Sequence, residues 1–314
     1  MRTSRWVLLP GATLLLTLFG LVLPQHAGPV ALLAVVAPYW YALLLLSLVP
    51  LAVLRRDAFL AAIVGVASVA AVLAYPATPD AQRSSTPVNL GLVTWNLHGE
   101  DPATVGLSDA LERWQPDVVV LQEADDGALT LLPDGMVPIR RPDAATPPGM
   151  LIATRLPVIA HGDVQPAASA WDRPRALWLS VRVSGELVTV VGVHLSFPMP
   201  VDSLPCPYCP DRRDAQIRLL ADFVRERQLM GERVVLAGDF NLADREVGYD
   251  GLSFLTDADR SPTWRPIAAS WFPAVLRLDY VFGGDGIGVV HSAVDCAISS
   301  SDHCPIHVEL ALIE

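Results

Sequence analysis

The sequence predicts a layered α/β or α+β domain carried behind three transmembrane helices, on three observations. Charge is absent from three long apolar stretches near the N-terminus. Beyond them, short apolar runs end repeatedly in polar clusters. Helical patterns are few against those runs. The 314 residues are 52% hydrophobic and 18% charged, too apolar for a disordered chain and enough for one large domain or two smaller ones.

Residues 6–23, 30–54 and 58–75 carry no charged side chain. A membrane-crossing helix needs about 20 apolar residues, so each stretch is long enough or nearly so. The first has the basic start of a cleaved signal peptide, but its apolar run exceeds the usual core of about 7–15 residues, and two more runs follow. The third is short and alanine-rich, and a buried helix is its alternative. Arg2 and Arg5 precede the first stretch, Arg55 and Arg56 separate the second from the third, and the loop from Pro24 to Pro29 has no Lys or Arg. The positive-inside rule then puts the N-terminus and the Arg55-Arg56 loop in the cytoplasm and everything after Tyr75 outside it. Residues 1–75 therefore read as a membrane domain, with the lipid bilayer as partner through residues 6–75. Residues 76–87 are rich in Pro, Ser, Thr and Ala and read as a linker.

Residues 1–75 hold four arginines and one aspartate, so the rest of the chain carries −14 against −11 for the whole. A segment this acidic is a poor non-specific ligand for nucleic acid, whose binding rests on neutralised phosphates. A local basic groove stays open.

The second domain spans 88–314. Asn89 to Trp95 alternates as a strand does and ends in Asn96-Leu97-His98-Gly99. Ser108 to Trp114 reads as a short helix with Ser108 as N-cap. Asp117 to Leu121 is a continuous apolar strand ending in Gln122-Glu123, and Met150 to Thr154 is another. Leu177–Val183 and Leu187–Val193 form a hairpin around Ser184-Gly185-Glu186, and its second strand ends in His194. Asp214 to Leu229 is an amphipathic helix. Arg233 to Ala237 is a buried strand that stops at Gly238, and Asp239 and Asn241 follow it, two apart on an extended backbone. Gly, Asp and Asn also suit a plain turn. Leu278–Phe282 and Ile306–Leu312 are the last clear strands, the latter after Ser301-Asp302-His303.

Asn96, Glu123, His194, Asp239 with Asn241, and Asp302 with His303 thus stand at the ends of apolar strands. Asp279 lies inside one, where an acid is costly unless paired. Strand ends that converge are how layered folds build sites. Carboxylates with an amide and no clustered thiols suit Mg²⁺ or Mn²⁺ rather than structural zinc.

The motifs resemble those of the endonuclease/exonuclease/phosphatase superfamily, the deoxyribonuclease I-like fold. Thr94-Trp95-Asn96-Leu97, Leu121-Gln122-Glu123, the strand Gly149 to Arg155, Val193-His194-Leu195, Gly238-Asp239-Phe240-Asn241, Leu278-Asp279-Tyr280-Val281 and Ser301-Asp302-His303-Cys304-Pro305 run in family order. The resemblance covers residues 88–314 and none of 1–75. It implies a four-layer α/β sandwich with two packed mixed β-sheets, and a divalent-metal-dependent phosphoester hydrolase. Glu123 would be the principal metal ligand, with Asn96 and Asp302 nearby. Asp239 and Asn241 would orient water and phosphate. His303, oriented by Asp279, would act on the nucleophile or bind the scissile phosphate, and His194 would stabilise the transition state or assist the leaving group. Mg²⁺ is the implied cofactor, with Mn²⁺ as a substitute. The implied partner is a phosphodiester, either nucleic acid or phospholipid, met on the outer side of the cell membrane. A non-catalytic binding module on the same fold is the alternative. His98 stands where the family often has a different polar residue, which leaves a second metal position open.

Cys206, Cys209, Cys296 and Cys304 are an even set outside the membrane and suggest disulfides. The expected pairing is Cys206–Cys209 and Cys296–Cys304, with zinc binding as the alternative.

Overall fold

The computed structural model describes residues 84–103, 106–140, 149–164, 175–198, 208, 210–244, 246–269, 271 and 273–313. The three expected membrane spans, most of the expected linker, Cys206 and Cys209 lie outside these residues. No helix of the described residues is long and apolar enough to cross a membrane. One compact unit, Pro79–Phe197 with Arg212–Asp244 and Gly248–Glu314, carries the two sheets.

The first sheet is built from β1 (Leu90–Asn96), β2 (Val118–Ala124), β3 (Val137–Arg140), β4 (Gly149–Thr154), β11 (Ile287–Val294) and β12 (Ile306–Leu312), in the order β11-β12-β1-β2-β4-β3. The second is built from β5 (Val158–Asp163), β6 (Arg175–Val183), β7 (Glu186–His194), β8 (Arg233–Asp239), β9 (Thr256–Asp257) and β10 (Asp279–Gly283), in the order β5-β6-β7-β8-β10-β9. Each is mixed. β1 pairs parallel with β2, and β7 with β8, while the other pairs are antiparallel. A parallel pair needs a long crossover. Helix α1 (Leu107–Trp114) lies in the first crossover, and α3 (Asp211–Leu229) in the second. The remaining helices among the described residues are single turns, α2 (Gly127–Thr130) and α4 (Val247–Asp250).

Alternation along the strands builds the layers. Val118 and Val120 of β2 meet Val188 and Val190 of β7 and Val235 and Ala237 of β8 between the sheets. Val119 and Leu121 point the other way and pack on Leu107, Ala110 and Leu111 of α1. Val191, Val193, Val234 and Leu236 face outward onto Ile217, Leu220, Ala221 and Val224 of α3. The result is helix, sheet, sheet, helix, the four layers expected.

Two local expectations are corrected. Helix α1 starts one residue early, at Leu107, with Gly106 rather than Ser108 at the cap and no side-chain cap bond. A Cβ at position 106 would stand 2.6 Å from the Ile298 carbonyl oxygen, and its φ is +87°, so the approach of that carbonyl requires glycine. Strand β8 also does not end at Gly238. It runs through Gly238, paired with Val193 on one side and Tyr280 on the other, to Asp239.

Gly238 has φ +145°, and a Cβ there would lie 1.9 Å from the Val193 carbonyl oxygen. We expect Gly238→Ala to lower stability by about 2–4 kcal/mol, from overpacking and backbone strain together. At Gly185, where φ is +93° but nothing among the described residues lies within 4 Å of the added carbon, alanine should cost only about 1 kcal/mol. Urea midpoints of the two variants test the contrast, and equal shifts would refute it.

Candidate active site

The register explains why distant motifs meet. β1, β2, β7 and β8 carry their polar residues at their carboxyl ends. β10 runs antiparallel to β8 with Asp279 opposite Asp239, and β12 runs antiparallel to β1, so the start of β10 and the loop before β12 arrive at that same end. His194 pairs directly with Asp239.

A regular β2 would not aim Glu123 correctly. The β2–β4 register shifts between Leu121 and Ala124, and Glu123 takes φ +50°. A bulge of this kind re-aims a side chain at a sheet rim. Glu123 Oε1 thereby lies 3.3 Å from Asn96 Nδ2 and 3.6 Å from His194 Nε2. Asn96 is fully buried. Its Nδ2 also donates to Asp239 Oδ2 at 2.9 Å, and its Oδ1 accepts from the His98 N–H at 2.9 Å. Asn96 thus turns its amino group, not its oxygen, between the two carboxylates.

Asp239 is the hub. Its Oδ1 accepts from the Asn241 N–H at 2.7 Å, and its Oδ2 stands 3.8 Å from His194 Nε2 and 3.9 Å from His303 Nε2. The backbone after it is not extended as expected. Asn241 has φ +48° and reaches back, donating to Leu195 O at 3.0 Å and to Asp239 Oδ2 at 3.3 Å. Asn and Asp tolerate this left-handed region. The Arg213 guanidinium of α3 donates to the Asn241 carbonyl, and Gln216 accepts from the Ser196 N–H at 2.9 Å, so the helix steadies both loop ends.

Asp279 and His303 form a buried pair, Oδ2 to Nδ1 at 2.7 Å. The main-chain N–H groups of Leu278 and Asp279 both donate to Thr263 Oγ1 at 3.1 Å. The His303 carbonyl accepts from Trp95 Nε1 at 3.1 Å and Ser299 Oγ at 2.8 Å. One ligand atom each from Asp239, Asp279 and His303 lies within 4.8 Å of the others. Burial pushes the Asp239 carboxyl up to about 7. The Asp279 charge adds to that push, and His303 and the Asn241 and Asn96 donors oppose it. Burial disfavours the charged His303 imidazole, but the Asp279, Asp239 and Asp302 carboxylates outweigh it and raise the ring to about 10. His303 is therefore an imidazolium at neutral pH in the ion-free protein.

Asp302 sits beside these groups in the chain. Its Oδ2 accepts from Trp264 Nε1 at 2.9 Å. Its Oδ1 is buried with no hydrogen-bond donor among the described residues, and the His98 ring stands 3.6 Å away. A buried carboxylate oxygen without a donor is costly, and a hard cation would satisfy it. Glu123 and Asp302 are both carboxylates, the oxygen donors that a hard divalent cation takes.

The sequence profile of the Endonuclease/Exonuclease/phosphatase family matches residues 93–303. The chain belongs to the endonuclease/exonuclease/phosphatase family. No curated protein matches it in sequence. Among solved structures it is similar to a humanised D. rerio TDP2, at 21% identity and TM-score 0.55 over 71% of this chain and 99% of that one. The Bacteroides thetaiotaomicron mannosyl-6-phosphatase is 17% identical, with TM-score 0.59 over 71% and 100%. D. rerio TDP2 complexed with a single-strand DNA product is 20% identical, with TM-score 0.54 over 71% and 99%. At these identities the likeness is one of fold. The family match begins inside β1 and ends at His303, so Asn96, Glu123, His194, Asp239, Asn241, Asp279, Asp302 and His303 all fall within it.

Sequence reasoning gave no role to Thr263, Trp264 and Arg265. They lie in a stretch without regular periodicity, and their contacts are to segments far along the chain.

Proposed function

We propose that this family member is a divalent-metal-dependent phosphodiesterase whose catalytic domain works outside the cytoplasmic membrane. The observation that carries the chemistry is the meeting of Glu123, His194, Asp239 and the Asp279–His303 pair at one sheet end, beside the unsatisfied Oδ1 of Asp302. Glu123 and Asp302 would hold Mg²⁺ or Mn²⁺, with Asn96 fixing the second side of Glu123. When bound, the ion supplies charge stabilisation at the phosphoryl oxygens.

The chain's own groups do the rest. Asp239, raised to about 7, is matched to accept a proton from an attacking water near neutral pH. Asn241, whose amino group reaches Leu195 O and Asp239 Oδ2, would act by fixing the Asp239 carboxylate. His303, held cationic by Asp279, and His194 are donors for charge that develops on the phosphoryl group and on the leaving oxygen. Nucleic acid and phospholipid are the two substrate classes, and the net charge of −14 beyond residue 75 weighs against the first.

Purified protein is expected to hydrolyse bis-nitrophenyl phosphate only with Mg²⁺ or Mn²⁺. A panel of plasmid DNA, sphingomyelin and inositol phosphates then selects the substrate. Metal-independent turnover would refute the metal role, and none with any ion would leave a binding module. For location, the arginines around residues 6–75 support an outer catalytic domain. A reporter active only outside the cytoplasm, fused after Glu314, should be active. Activity of a cytoplasm-only reporter instead would reverse the topology.

A further inference from the structure

The loop that presents Asp302 and His303 is closed into a ring. Cys296 and Cys304 are disulfide-bonded across a separation of 8, with α-carbons 4.6 Å apart. This is the expected second pairing. A closed ring limits the loop's range but does not choose one conformation for it. Inside the ring lies a fully buried guanidinium, that of Arg265.

Arg265 Nε donates to Ser301 O at 3.1 Å. One terminal nitrogen reaches Ser301 O at 2.9 Å and Ser299 O at 2.5 Å. The other reaches Ala269 O at 2.8 Å and Cys296 O at 3.3 Å. Its own main-chain N–H donates to Asp302 O at 2.9 Å. Every one of these acceptors is a carbonyl. Ion pairing alone would not select such a site, because burying a charge against neutral acceptors is expensive. What the arrangement does supply is geometry, since a planar fork with fixed donor directions sets the orientation of each peptide it touches.

Those peptides lead straight to the site. Ser301 Oγ donates to the Asn96 carbonyl at 2.9 Å and accepts from the His303 N–H at 3.1 Å. Trp264, the residue before Arg265, forms a β-bridge with His303 and donates its indole N–H to Asp302. Arg265 thus engages the carbonyls of 296, 299, 301 and 302, while Trp264 holds one oxygen of Asp302 and the other lies 3.6 Å from the His98 ring.

We propose that Arg265 is a positioning residue whose guanidinium, seated in the Cys296–Cys304 ring, orients the Ser299–His303 main chain so that Asp302 and His303 meet metal and phosphate. The proposal rests on the assignment of those two residues above.

The test uses the full chain with Arg265→Lys and Arg265→Met. Lysine keeps the charge and the stem but cannot fork to several carbonyls, so it guards against a methionine variant that fails to fold. Far-UV and near-UV circular dichroism check the fold. Mn²⁺ affinity is read by calorimetry without substrate, and kcat and KM are read on bis-nitrophenyl phosphate. We expect folded Arg265→Lys to lose about 10–100-fold in Mn²⁺ affinity, the range seen for groups that orient metal ligands, and to lose kcat rather than KM at saturating metal. A folded variant with Mn²⁺ affinity and kcat within twofold of the parent, even with a lowered melting temperature, overturns the proposal. If neither variant folds, Arg265 is a folding residue and the proposal fails as stated. Failure of the functional reading is separate, because there the parent protein itself binds no Mn²⁺ and hydrolyses nothing.

Discussion

Glu123→Gln should fold as the parent does and lose at least about 100-fold in metal-dependent hydrolysis. The substitution changes charge without volume. The carboxylate stands at the rim of β2 in a left-handed conformation, φ +50°, and glutamine carries the same backbone penalty as glutamate. The bulge and its register are therefore unchanged. On the proposed reading, what is lost is a charged oxygen ligand for a hard cation. The remaining contacts, Asn96 Nδ2 at 3.3 Å and His194 Nε2 at 3.6 Å, can still be met by an amide oxygen. Higher Mg²⁺ should recover part of the rate, because affinity is the quantity damaged. Matching urea midpoints with a Mg²⁺ titration displaced to higher concentration is the expected pair of results. An unchanged titration and an unchanged rate would remove Glu123 from the metal site.

The legible parts of the fold were those buried on both faces. β2, β7 and β8 are covered by a sheet on one side and a helix on the other, so they appear as largely apolar runs. β3 and β5 are edge strands without a buried residue, and β3 contains Pro138. Neither carries the alternation that marks a half-buried strand, so neither was readable. The polar residues of the site were readable because each sits at or close to one end of a strand that was. Their convergence was not, because it depends on β10 and β12 running antiparallel to β8 and β1, and register is a tertiary property. Two details escaped for a local reason. Glu123 and Asn241 both adopt positive φ, which no side-chain pattern announces. Arg265 escaped because its partners at 296, 299 and 301 lie 31 to 36 positions away, and an arginine in a loop ordinarily reads as solvated surface.

Asp279→Asn tests the proton chemistry. In the parent, the Asp279 and Asp239 charges outweigh burial and raise the His303 pKa from 6.5 to about 10. The folded state therefore binds more protons than the unfolded state across that interval. The sign follows from linkage: the pairing contributes its full stability below about 6.5 and loses it as pH rises through about 10. Asp239, raised from 3.8 to about 7 by burial first, acts in the same direction at lower pH. Its stability contribution falls as pH rises from about 4 to 7. Asparagine at 279 removes the nearest charge supporting the imidazolium, so burial takes over and the ring becomes neutral at lower pH. Hydrolysis should drop by about 10²–10⁴-fold at neutral pH, the span for loss of a positioned acid or base. The alkaline limb of the residual rate should move to lower pH, because the ring loses its charge earlier. Stability in the presence of EDTA should change less between pH 6.5 and 10 than in the parent. Urea midpoints across that range, set beside a pH–rate profile, decide the matter. An alkaline limb identical to the parent's, with a parent-like rate, would show that Asp279 does not govern His303.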